Sequence, residues 1–195
     1  MLNILLAGVG GQGTVLAAKV LAQAAQEKGW KVRTAETIGM AQRGGNVSSH
    51  VRMGNLGEPV FSSLFPKGSA NMSIAFEPAE AAGVLPYLAP DGMLVSASTG
   101  VQPVTAALSK QPYRAEVVIE QLRNQLHEHF VAVDDAELLA QVGSTKVLNV
   151  VLLAQAIKTQ ALPLGFDDLR AAVKACVKPQ FAELNFHAID VVERR

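Results

Sequence analysis

Two glycine-rich stretches hold the residues of this sequence best suited to chemistry. Gly8-Val9-Gly10-Gly11-Gln12-Gly13 has the spacing G-x-G-x-x-G, directly after an apolar run and at the start of a helical pattern. Glycines so placed permit a tight turn and let backbone N–H groups approach an anion beside the positive end of a helix. Glu36 stands 23 residues after Gly13, at the end of the next strand-like segment, where a dinucleotide site keeps the acid that holds a ribose hydroxyl. Two readings of the motif stay open on these residues. It binds NAD or FAD, or its glycines serve only the close packing of a strand on a helix.

The second stretch is Gly39-Met40-Ala41-Gln42-Arg43-Gly44-Gly45. Glycines on both sides give Arg43 a backbone free to take positive φ and to approach another surface closely. A guanidinium offers five donors to a carboxylate, a phosphate or a partner's carbonyls. Arg43, with Gln42 beside it, reads as a ligand or partner contact; the alternative is an arginine that braces its own loop.

Other polar residues carry weaker signals. His50 lies on the polar face of an alternating segment with no acid or cysteine at activating distance, and reads as solvated or as an interface residue. His127 and His129 are two residues apart and do not share a helix face, which argues against a metal pair. His187 reads as ordinary, and one of Asp134 and Asp135 reads as a helix N-cap. No Ser/His/Asp set, carboxylate pair or metal cluster stands out.

The elements that position the two loops follow from periodicity. Residues 2–7 form an apolar run that fits a buried parallel strand. Small and apolar residues recur at helical spacing from Gly11 to Lys28, and Gly29 closes that helix. Residues 31–36 read as a second strand, making a strand–helix–strand unit. In such a right-handed unit both strands run the same way, so both glycine loops emerge at the carboxyl edge of one sheet, where open α/β folds place their sites. Glu77-Pro78 and residues 96–100, after strands at 71–76 and 92–97, belong to the same edge.

Residues 46–53 alternate, and Gly54–Gly57 reads as a turn with Glu58–Ser62 returning as a hairpin partner. A short helix is expected over 78–88, a helix over 115–127, a strand over 129–134, then helices over 135–142, 145–159, 166–176 and 179–192. The run at 147–157 is apolar nearly all round and predicts a buried helix. The fold class is therefore α/β: a Rossmann-like open, mostly parallel twisted sheet with helices on both faces and a helical C-terminal part, in one domain over 1–195.

Composition sets outer bounds. The 195 residues are 49% hydrophobic and 17% charged, enough for one sizeable core. A net charge of +0 argues against a general nucleic-acid surface. The N-terminal apolar run is too short to span a membrane and lacks the pattern of a secretory signal, so a cytoplasmic location is expected. Cys176 is the sole cysteine, reads as core packing, and cannot supply the four thiolates of an iron–sulfur cluster.

Taken together, GVGGQG, GMAQRGGNVSSHVR, AFEPAEA and KVLNVVLLAQA resemble the gamma subunit family of 2-oxoacid:ferredoxin oxidoreductases, from about residue 2 to about 190. They look most like the small (beta) subunit of the indolepyruvate enzymes. The resemblance implies a complex that oxidatively decarboxylates a 2-oxoacid to an acyl-CoA and reduces ferredoxin. Thiamine diphosphate, Mg²⁺ and iron–sulfur clusters act there on partner subunits, and this chain is inactive alone, binding no cofactor itself. Its contact loop toward partners or coenzyme A comprises Gly8, Gly10, Gly11, Gln12, Gly13, Gly39, Met40, Gln42, Arg43, Gly44, Gly45 and Glu77. A lone subunit can pair with itself, since exposed apolar patches seek cover. The competing classes are a stand-alone NAD- or FAD-binding oxidoreductase and a non-catalytic scaffold.

Overall fold

The computed structural model describes residues 1–39, 45–101 and 113–195. Six strands form its single sheet: β1 (Leu2–Val9), β2 (Lys31–Ile38), β3 (Asn46–Gly54), β4 (Ala70–Ala75), β5 (Leu88–Ala97) and β6 (Phe130–Val133). The helices are α1 (Thr14–Glu27), α2 (Pro78–Val84), α3 (Ala115–Leu126), α4 (Asp135–Val142), α5 (Leu148–Lys158), α6 (Phe166–Cys176) and α7 (Pro179–Glu193).

The strand order is β2-β3-β1-β4-β5-β6. β1, β4, β5 and β6 pair in parallel, whereas β3 is antiparallel to both β1 and β2. Two antiparallel steps restore direction, so β2 runs parallel to β1, as expected, but one strand away from it. β3 occupies the place a simple strand–helix–strand unit would give to β2.

The expected return strand at Glu58–Ser62 does not form. That segment lacks strand structure, and Arg33 Nε donates to the Val60 carbonyl at 2.8 Å while an Arg52 N–H reaches the Leu64 carbonyl at 3.4 Å. The edge of β3 that a hairpin would have used is already paired on both sides, by β1 and β2.

Alternation along β1 feeds two cores. Ile4 and Leu6 face the larger one, with α1, α4, α5, α6 and α7; Leu5 and Ala7 face the smaller, with α2, α3, Phe65 and Phe130. Helices thus cover both faces. α5 is the central helix of the larger layer: Val150, Val151, Leu152, Leu153 and Ala154 are all buried, which accounts for its apolar circumference. Gly29, at φ 78°, ends α1, and Trp30 N–H donates back to the Ala25 carbonyl at 3.1 Å. Cys176 sits half-buried at the margin of the larger core, its Sγ 4.0 Å from the Lys19 carbonyl, and burial pushes its thiol pKa up.

Candidate functional site: the carboxyl rim of the sheet

β1 ends at Val9, directly opposite Asn46 at the start of β3, and Ile38 at the end of β2 lies opposite Val47. The two glycine loops therefore meet. Gly10 N–H donates to the Gly45 carbonyl at 3.0 Å, and Gly39 N–H donates to the Asn46 carbonyl at 2.8 Å. Met40, Gln42, Arg43 and Gly44 lie outside the described residues, but Gly39 and Gly45, which flank them, stand on the rim beside Gly10.

The first glycine loop is held by its own side chains. Gln12 Oε1 accepts from Val9 N–H at 2.7 Å, and its Nε2 donates to the Phe76 carbonyl at 3.0 Å. One carboxamide so ties the end of β1 to the end of β4. A Cβ at Gly8 would come within 2.9 Å of Gln12 Oε1 and of Phe76 Cβ, so only glycine fits beneath this staple. Gly13 begins α1 at φ 83°, in the left-handed region. α1 carries no side-chain cap, and its first turn, with Lys19, borders an open groove of about 480 Å³. Uncapped helix N–H groups, a positive helix end and a lysine together suit an anion or a partner's carboxylate.

Glu77 is 2% exposed and is engaged within the chain. Its carboxylate accepts from Ala79 N–H at 2.8 Å and Glu80 N–H at 3.2 Å, capping α2, and also accepts from the Tyr113 hydroxyl. Burial, then this hydrogen bond, raise the Tyr113 pKa. Next to it Glu80 accepts from the Asn46 carboxamide, and its pKa is raised, chiefly by burial. The residue after the second glycine loop is thereby clamped to α2.

The other rim loop depends on Asp135. At 3% exposure it accepts from Ser98 N–H at 2.8 Å and Thr99 N–H at 2.9 Å, while Asp134 caps α4 through Glu137 N–H at 3.0 Å. Both aspartates thus have posts, where one capping role was expected. The sequence signal was the doublet itself, since one N-cap needs one carboxylate. Tyr113 and Asn149 gave no sequence signal; the first acts across 36 residues on Glu77, and the second packs against Gly13.

Two expectations are corrected. His50 is not solvated: it is 6% exposed, with its ring 4.5 Å from Phe65 and 5.7 Å from Tyr87, and burial lowers its pKa. Alternation placed it on a polar face, and that face is covered by Phe65 and by Tyr87, which follows α2. Glu36, the supposed ribose acid, is exposed on edge strand β2, with β3 between it and β1. Strands lie about 4.8 Å apart, so the acid is a whole strand further from the glycine motif than a dinucleotide site requires.

Among the described residues no group of three or more His, Cys, Asp or Glu side chains could hold a metal ion. Among them, no single helix is long and apolar enough to cross a membrane.

The fold and rim define a doubly wound α/β domain whose glycine loops converge on a polar edge but lack the strand adjacency of a dinucleotide site. A family model described as pyruvate ferredoxin/flavodoxin oxidoreductase matches residues 3–192, and the chain belongs to that family. It is 35% identical over 190 residues to the indolepyruvate oxidoreductase subunit IorB of Archaeoglobus fulgidus, covering 96% of this chain and 92% of that protein. It is 32% identical to the subunit of the same name from Pyrococcus horikoshii, covering 97% of this chain and 93% of that protein. Among solved structures, the gamma subunit of a keto/oxoacid ferredoxin oxidoreductase from Geobacter sulfurreducens superposes with a TM-score of 0.68 at 21% identity, covering 100% of this chain and 97% of that one. That last likeness bears on the fold alone.

Proposed function

We propose that this chain is the gamma-type subunit of a thiamine diphosphate-dependent 2-oxoacid:ferredoxin oxidoreductase, a complex that decarboxylates a 2-oxoacid oxidatively to an acyl-CoA. The observation that carries the reading is the family match over residues 3–192. The meeting of the two glycine loops at Gly10 and Gly45 supports the assignment of the rim as the working surface. A single cysteine does not fit an iron–sulfur cluster, so clusters, thiamine diphosphate and Mg²⁺ belong in this reading to partner subunits. No step of the chemistry is assigned to residues of this chain.

Its residues bind and position. In this reading Gly39, Gly44 and Gly45 let Arg43 and Gln42 reach toward a partner subunit or coenzyme A. Gln12, Glu77 and Asp135 act behind them, fixing the rim loops through backbone hydrogen bonds. Electrons reach ferredoxin through the partners. Without partners, two copies can pair through exposed surface such as Phe61 or the open edge of β2.

Arg43→Ala tests the reading. The variant should melt with the wild type as an isolated chain, yet bind its thiamine-binding partner at least about tenfold more weakly, or slow turnover of the assembled complex comparably. A large fall in melting temperature with unchanged assembly and turnover would make Arg43 a brace of its own loop. Failure of the chain to co-purify with any thiamine-binding partner would overturn the assignment itself.

A further inference from the structure

The end of the sheet opposite the glycine loops carries cations that nothing in the chain neutralises. Arg33 of β2 stands directly opposite Arg52 of β3, and Lys31, two residues before Arg33, falls on the same face. Like charges directly opposite on neighbouring strands are destabilising. Among the described residues, neither these arginines nor Lys31 form an ion pair with a carboxylate. Glu58, the one acid in residues 52–69, is taken by the Met1 ammonium and by the Leu56 N–H.

What meets the arginines is backbone. The segment after β3 returns over this face: Arg33 Nε donates to the Val60 carbonyl at 2.8 Å, and an Arg52 N–H reaches the Leu64 carbonyl at 3.4 Å. A carbonyl orients a guanidinium without cancelling its charge, and each arginine keeps most of its five donors free of such partners.

The same segment turns large apolar side chains outward. Phe61 is 87% exposed, Leu56 is 82% exposed, and Leu64 is exposed as well. Val60 and Leu64 are anchored by the arginines on either side of Phe61, so its ring is held out in advance of binding. Arginine and aromatic side chains together mark the centres where protein interfaces concentrate their binding energy.

Charge selects the partner. A second copy can bury Phe61, but about a two-fold axis it brings Arg33 and Arg52 against the same cations. A lipid-binding patch draws on clusters of about four to eight basic residues, more than stand here. A carboxylate-bearing protein surface cancels the charge, and guanidinium forks match carboxylates in paired hydrogen bonds.

We propose that this face is a second docking surface, for an acidic protein partner whose carboxylates meet Lys31, Arg33 and Arg52 while an apolar pocket receives Phe61. It is separate from the rim, since Arg33 stands five residues before Ile38 on β2, about 17 Å along the strand. It does not depend on the assembly reading.

The probe is a synthetic peptide in which glutamates alternate with phenylalanines, titrated into the isolated full-length chain and followed by amide chemical shifts. Saturable shifts at Arg33, Arg52, Phe61 and Leu64 are expected, with none at Gly10 or Gly45. The glutamine counterpart of the peptide should bind at least about tenfold more weakly, as should the glutamate peptide in about 1 M salt. Lys31→Glu and Phe61→Ser, both at exposed positions that do not threaten folding, should each weaken the peptide several-fold. Unsaturable shifts, shifts centred on the rim, equal affinity for the glutamine peptide, indifference to salt, or affinity unchanged in Lys31→Glu would each overturn the proposal. Tighter binding to phosphatidylserine vesicles than to the peptide would assign the face to a membrane instead. Self-association that Phe61→Ser abolishes, without peptide binding, would assign it to a second copy; either result overturns the acidic partner.

Discussion

Gln12 lies inside the glycine motif, where a nucleotide-binding reading would leave it free for ligand, yet both ends of its carboxamide are used within the chain. Replacing it with alanine strands the Val9 N–H and the Phe76 carbonyl, which it meets at 2.7 and 3.0 Å. A neutral hydrogen bond contributes about 1 kcal/mol net, so the two together contribute about 2 kcal/mol. For a chain of this length that is a fall of about 4–8 °C in melting temperature. Gln12→Glu sharpens the test. A carboxylate still accepts from Val9 but sets an anionic oxygen against the Phe76 carbonyl, so at pH 7 it should cost at least as much as alanine. The measurement is urea unfolding followed by circular dichroism, with Trp30 fluorescence as a second probe. If Gln12→Ala stayed within about 0.5 kcal/mol of the wild type, or Gln12→Glu were indistinguishable from it, the staple would not hold the rim and the motif would regain its ligand reading.

Two further outcomes follow from buried groups. Asp135→Ala removes an acceptor shared by the Ser98 and Thr99 amides and should cost about 3 kcal/mol or more, with hydrogen exchange accelerated most at those two amides. Asp134→Ala, which loses one capping bond, should cost about 1 kcal/mol; equal losses at the two positions would contradict the division of roles. His50 has its pKa lowered by burial, so the unfolded chain binds the proton more readily than the folded one. Stability is then fully present above the unfolded value of about 6.5 and is lost as pH falls from there toward the lowered folded value. Between pH 7 and 5 the urea midpoint should fall more steeply in the wild type than in His50→Gln; parallel slopes would refute this.

Much of the fold was legible because periodicity reports local burial. The apolar run at 147–157 is the buried α5, and the helix expected over 166–176 is α6 from Phe166 to Cys176. The rim was legible through chain direction. Strands β1 and β2 run the same way, so the loops after them share an edge, and Gly10 meets Gly45 there. The failures are equally specific. Alternation in residues 46–53 marked a strand but not its neighbours, and an inserted antiparallel β3 keeps β2 parallel to β1 while moving Glu36 away. His50 was read from the polar alternation of its own strand, although exposure depends on what covers that face. Asn149, inside an apolar helix, gave no signal in the sequence, because its contact with Gly13 joins segments more than a hundred residues apart.

Without deciding the fate of Glu58–Ser62 or the covering of the His50 face, the sequence by itself determined most of the elements and their order, and the glycines that let two loops approach a common edge. Those are properties of residues near one another along the chain, where side-chain period and backbone freedom act directly. Only the tertiary structure decided that β3 separates β1 from β2, that Gln12 and Asp135 are occupied in holding the rim, and that a buried Asn149 packs against Gly13 at the start of α1. Strand pairing and hydrogen-bond partners are settled between segments distant in sequence, and each depends on which other segment has already taken the available edge, face or donor.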